Sequence, residues 1–192
     1  MNQFFSAASG FGRRLRAHGF ALSLAVWTGG CVLSAEGDLP DVEVTQRDIE
    51  IPAAPPEADG TDILLAVSFE QKPPRAGINR DAFSDVHVTR VFLSAQSGVS
   101  ELSFLKSLRV LATTAEAEAA GFAPIEIGNY QQPAGGGGGT FIELISDPPI
   151  DVTELWRSKR VKFTLEVFGR LPPVAWTANI GINLGATLSY DL

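Results

Sequence analysis

The stretch WTANIGINLGATLSY, residues 176–190, carries the clearest pattern in the chain. Its even positions run from Trp176 through Ala178, Ile180, Ile182, Leu184, Ala186 and Leu188 to Tyr190. Its odd positions hold Thr, Asn, Gly and Ser. Alternation of this kind puts one face of a β-strand on a core and the other toward solvent. A single strand of that length would extend about 50 Å at roughly 3.3 Å per residue. That is long for a globular domain. Gly181 and Gly185 are therefore expected either to bend it so that it serves two sheets, or to break it as a hairpin.

The same period recurs upstream. Val161, Phe163, Leu165 and Val167 alternate with Lys162, Thr164 and Glu166. Val86 and Val88 set one phase, and Val91, Leu93 and Ala95 set the other. A slip of one residue between them predicts a bulge near Arg90. Further strands are predicted at residues 42–51, 63–69, 107–114, 124–128 and 140–145. Pro52–Pro56 and Lys72-Pro73-Pro74 end two of them, because proline cannot donate to a ladder. Helical signals are confined to one turn at Leu102–Lys106 and a short helix at Asp151–Arg157, with Asp151 as its cap. The reading is an all-β fold, an antiparallel β-sandwich of seven to eight strands.

The beginning of the chain is different. Arg13, Arg14 and Arg16 precede a short apolar run, residues 20–27, and no acid occurs before Glu36. This is a basic region followed by an apolar one, as in export signals, and it is shorter than the roughly 20 residues needed to span a bilayer. Thr28-Gly29-Gly30-Cys31 follows, and it resembles the lipobox of bacterial lipoproteins. In that family a peptidase cuts before the cysteine, which is then acylated. Thr28 departs from the pattern, since an aliphatic residue usually stands there. The resemblance implies lipidation of Cys31, and it explains why an exported chain keeps a lone cysteine with no internal partner. Val32 and Leu33 after the cysteine, rather than Asp, resemble lipoproteins sent to an outer membrane. The organisation expected is a signal peptide at 1–30, a tether at 31–40 and a sandwich domain at 41–192.

Three later stretches, DVHVTRVFLSAQSG (85–98), SELSFLKSLRVLATT (100–114) and IDVTELWRSKRVKFTLEVFGRLPP (150–173), resemble a group of bacterial lipoproteins of unknown function. The similarity runs over about residues 42–190. It implies an exported sandwich and brings no catalytic residue with it.

Charge excludes some partners. Cleavage before Cys31 removes three of the 15 basic residues and none of the 22 acids, taking the net charge from −7 to −10. Nucleic-acid binding needs a basic surface to neutralise phosphates, so it is not expected. Electrostatic adhesion to anionic lipid is disfavoured for the same reason.

The search for chemistry yields little. The five-glycine run at 135–139 lacks the Gly-Lys-Ser/Thr of a phosphate loop and reads as a hairpin loop. His87 is the only histidine after the leader, and its alternation with Val86 and Val88 puts it on a solvent face or sheet edge. Ser84 and Asp85 are its sequence neighbours, but adjacency along a strand does not give triad geometry. One histidine cannot build a zinc cluster. Asp147, Asp151 and Glu154 form an acidic group whose spacing matches no calcium loop. No catalytic, metal or cofactor residue is assigned.

The expected function is a lipid-anchored envelope protein with a structural or binding role, not an enzyme. Its partners would be the membrane, through the acylated Cys31, and an envelope protein or glycan. Two alternatives stand beside it. A secreted carbohydrate-binding module or hydrolase would use Trp156 and Trp176 as candidate platforms for sugar rings. A small outer-membrane β-barrel would suit the apolar alternation of 176–190, but the mature chain has only two tyrosines and two tryptophans, too few for aromatic girdles at both interfaces.

Overall fold

In a computed structural model the chain is described over residues 34–191, apart from 59, 74–77, 135 and 137. The expected signal peptide at 1–30 and Cys31 lie outside the described residues. Eight strands alternate with short connections: β1 Ser34–Ile51, β2 Ile63–Gln71, β3 Phe83–Ser97, β4 Leu105–Thr113, β5 Ile125–Gln131, β6 Phe141–Asp151, β7 Val161–Gly169 and β8 Trp176–Asp191. Two short helices, α1 Ala115–Ala119 and α2 Thr153–Arg157, sit in the connections after β4 and β6.

The strands form two four-stranded sheets, ordered β1-β8-β3-β6 and β2-β7-β4-β5, with every pair antiparallel. All connections except β4–β5 cross from one sheet to the other, and the first strand lies beside the last. That is the jelly-roll arrangement of a β-sandwich. Both sheets stay open, so the closed-barrel alternative is not this fold.

β8 decides the architecture. It is one continuous strand in one sheet, flanked by β1 on one side and β3 on the other. The even positions from Trp176 to Leu188 are all buried, as their alternation predicts. They face Val161, Phe163, Leu165 and Val167 of β7 within one core. Each such side chain contributes about 1.5–3 kcal/mol on full burial. Between the sheets, Val88, Ile127, Leu155, Trp156 and Leu184 line a gap of only about 10 Å³.

The predicted bulge is present. Val88 pairs with Leu184 and Arg90 with Asn183, which leaves Thr89 as the extra residue. β1 has a second slip between Gln46 and Ile49, where Asp48 adopts a φ of 53° and donates its N–H to Asn179 Oδ1 at 2.9 Å. This slip keeps Val44, Ile49 and Ile51 all on the core. β1 also starts earlier than expected. Ser34–Leu39, part of the stretch read as a tether, pairs with Ala186–Asp191.

Strand polarity fixes the two ends of the sandwich. The chain enters the first sheet at the end where the β2–β3, β4–β5 and β6–β7 connections lie. The β1–β2, β3–β4, β5–β6 and β7–β8 connections occupy the opposite end.

Candidate functional site

The outer face of the first sheet gathers the ionisable and aromatic residues of β3. Asp85 and His87 precede the bulge on this face, and Arg90 and Phe92 follow it. The slip at Thr89 keeps both groups outward while Val86, Val88, Val91 and Leu93 all stay buried.

The floor beneath them is glycine. Gly181 pairs with Phe92 and Gly185 with His87 across the β3–β8 ladder. A Cβ on Gly181 would lie 2.0 Å from Phe92 Cζ, and one on Gly185 would lie 2.5 Å from His87 Nε2. The rings therefore lie directly on the β8 backbone, and this cross-strand covering of glycine by a ring stabilises the pair. β8 stays unbroken here: the two glycines seat rings instead of providing the bend or hairpin expected of them.

Phe92 also stacks on Phe141 of β6, with centroids 5.7 Å apart and planes at 28°. Phe141 remains 48% exposed, so this pair presents an accessible aromatic surface. Arg90 lies over the Phe92 ring at 5.9 Å, and its Nη2 donates to Glu143 Oε2 at 2.7 Å. Asn183, which pairs with Arg90, has a buried Oδ1 without a hydrogen-bond partner beneath this face.

His87 shows how far the chemistry goes. Its Nδ1 lies 2.9 Å from Asp85 Oδ2, the kind of contact that orients a catalytic imidazole. Its Nε2, which would have to meet a nucleophile, instead lies against Gly185. The Ser84 hydroxyl donates to the Thr187 carbonyl at 3.1 Å. Asp85 and His87 thus form a hydrogen-bonded surface pair whose geometry does not serve acyl transfer.

Asp151 sits opposite His87 in the β3–β6 ladder. It does not cap α2 as the N-cap residue, a place held by Val152. It nevertheless accepts from the Thr153 hydroxyl at 2.6 Å and from the Thr153 N–H at 2.8 Å. The Thr153 hydroxyl, then its N–H, hold the carboxyl below the usual range against the opposing effect of burial, with lesser help from the charges of Arg157 and His87. Among the described residues no group of three His, Cys, Asp or Glu side chains could hold a metal ion.

Trp156 and Trp176 are not platforms. They are 5% and 1% exposed, Trp156 in the core below β7 and Trp176 edge-on to Phe104 at 5.5 Å. No sugar ring can stack on them in this fold. The accessible rings on this face are Phe92 and Phe141, which alternation marks as outward-facing but cannot pair, because they meet across two strands distant in sequence.

No known protein family and no curated protein matches the chain. Among solved structures, it is similar to the decameric BFDV capsid protein, with a TM-score of 0.37 and 12% identity over 78% of this chain and 98% of that one. It is also similar to the structure of Cocksfoot mottle virus, with a TM-score of 0.36 and 8% identity over 100% of this chain and 97% of that one. Scores at this level carry no functional argument.

Proposed function

We propose that this protein is a lipid-anchored envelope protein whose jelly roll serves a non-enzymatic binding or structural role. The observation that carries this reading is the run Thr28-Gly29-Gly30-Cys31 behind a short apolar segment, directly joined to the domain. Only Val32 and Leu33 separate the cysteine from Ser34, the first residue of the β1–β8 ladder. An acylated Cys31 would hold the sandwich by a few residues of chain, and several acyl chains make such attachment stable at about 0.8 kcal/mol per buried CH2. The outer face of the first sheet supports the non-enzymatic part. It offers stacked rings and an Arg–Glu pair, which suit recognition of a surface, and its histidine faces backbone.

The test is the intact mass of the full chain recovered from bacterial membranes, compared with Cys31→Ala. The expected wild-type mass is that of residues 31–192 plus acyl groups, with both cleavage and acylation lost in the variant. The same unacylated, soluble product from both chains would sink the proposal.

A further inference from the structure

The connection between α1 and β5 ends in an apolar tip. Phe122, Ala123, Pro124 and Ile125 are all exposed, Phe122 by 70%. Phe122 is the most exposed large apolar side chain of the described residues.

Its backbone is held. The Phe122 N–H donates to the Ala117 carbonyl and the Gly121 N–H to the Glu118 carbonyl, both at 3.0 Å, while Gly121 takes a φ of 79°. These bonds form a Schellman closure of α1. At the other end of the helix, the Thr114 hydroxyl accepts from the Ala117 N–H at 3.0 Å. In such a closure the residue after the glycine commonly folds back on the last helical turn. Here it projects into solvent from a fixed base. An exposed aromatic on a fixed base fits an apolar surface outside the chain.

The chain itself indicates which surface. The tip follows β4, so it lies at the end of the sandwich where β1 begins. Cys31 is three residues before Ser34, within about 10 Å of extended chain. Resting on the lipid-anchored reading, we infer that the Phe122–Ile125 tip is a second, apolar contact with the lipid surface that receives the acyl chains. The contact is apolar because Glu116 and Glu118 flank the tip and the mature chain is acidic. It therefore needs no anionic lipid. It does need the domain to lean, because the β1–β8 ribbon runs past Phe83, the first residue of β3. The leaning side is the one that carries β4 and β5.

The test uses the full chain, purified from membranes and reconstituted in phosphatidylcholine vesicles with or without brominated acyl chains. Phe122→Trp places a reporter at the tip. Val174→Trp, at an exposed position of the opposite end, is the control. Trp156 and Trp176 give the same buried background in both. The expected result is a blue shift of the emission that Phe122→Trp adds, and loss of most of that emission with brominated lipid, with neither change for the control. If the protein floats with the vesicles but neither reporter is quenched, the anchor stands and the contact is overturned. A blue shift without quenching means protein covers the ring, which also overturns it. Unacylated protein that fails to float overturns the anchoring and the contact with it, and the intact mass identifies that case.

Discussion

Gly181 lies beneath the Phe92 ring, and two opposing effects decide what a methyl group would do there. In the unfolded chain, alanine has less freedom to lose than glycine, which favours Gly181→Ala by about 0.4–1 kcal/mol. In the folded protein, the new Cβ would stand 2.0–2.6 Å from three atoms of the ring. Phe92 cannot swing away freely, because it stacks on Phe141 and underlies Arg90. Overpacking of this kind costs about 1–3 kcal/mol, so the clash wins. Gly181→Ala should lower the urea midpoint with an unchanged slope. In a Phe92→Ala background the same change should be neutral or stabilising, a coupling that a double-mutant cycle reads directly. Equal effects in both backgrounds would mean that Gly181 does not act through the ring. The sequence shows the glycines and their spacing. It cannot show their purpose, because the ring that covers Gly181 belongs to a strand almost ninety positions away, and only the register brings it there.

At the scale of elements, α2 is fastened to β3 at both ends, by the Arg157 guanidinium on the Phe83 carbonyl and by the Thr153 hydroxyl. Thr153 Oγ1 accepts from the Val86 N–H at 2.8 Å and donates to Asp151 Oδ1 at 2.6 Å, in a buried position. Thr153→Val keeps the shape and removes both bonds. It leaves the Val86 N–H buried without its acceptor, at a cost of about 1–3 kcal/mol. The Asp151 bond adds a pH dependence of known sign. Its carboxyl is held low chiefly by this hydroxyl, so the stabilisation is full above the ordinary carboxylate range and is lost as pH falls through the depressed folded value. The stability gap between wild type and Thr153→Val, measured by urea titration, should narrow on acidification without closing. A gap that widened in acid would refute this account. α2 itself is legible in the sequence, since Asp151 precedes a helix-forming run. α1 is not, although Thr114 caps it, because five residues are too few for a periodic signal. The strand expected at 140–145 runs on to Asp151 through Pro148-Pro149, because β6 is an edge strand and tolerates proline.

The whole molecule is organised by a single late strand. β8 is the sole partner of β1 and one of two partners of β3, so the first sheet is complete only once the last residues have joined β1 to the β3–β6 pair. Alternation announces the faces of the strands, and therefore a sandwich with its core. It is silent on which strand lies beside which, because each face is compatible with many neighbours and the order β1-β8-β3-β6 depends on pairings across most of the chain. That order sets a hierarchy of stability. Amides of Ala178–Leu184 lie in a central strand over the core, with a ladder on each side, and exchange only when one of those ladders opens. Amides of Ser34–Leu39 lie on an edge strand, beyond the slip between Leu39 and Val42, and can open alone. Local opening free energies range from near zero to the global value, about 5–15 kcal/mol for a domain. Hydrogen exchange followed by mass spectrometry should therefore place residues 178–184 in the slowest class, together with 161–167 of β7, and residues 34–39 in the fastest class of any strand. Comparable protection of 34–39 and 178–184 would mean that the β1–β8 ribbon is as cooperative as the core, and the hierarchy argued from strand order would be wrong. If the order holds, the first strand segment to loosen is also the one nearest Cys31, so a strain applied through a tether would fray an edge before it reached the core.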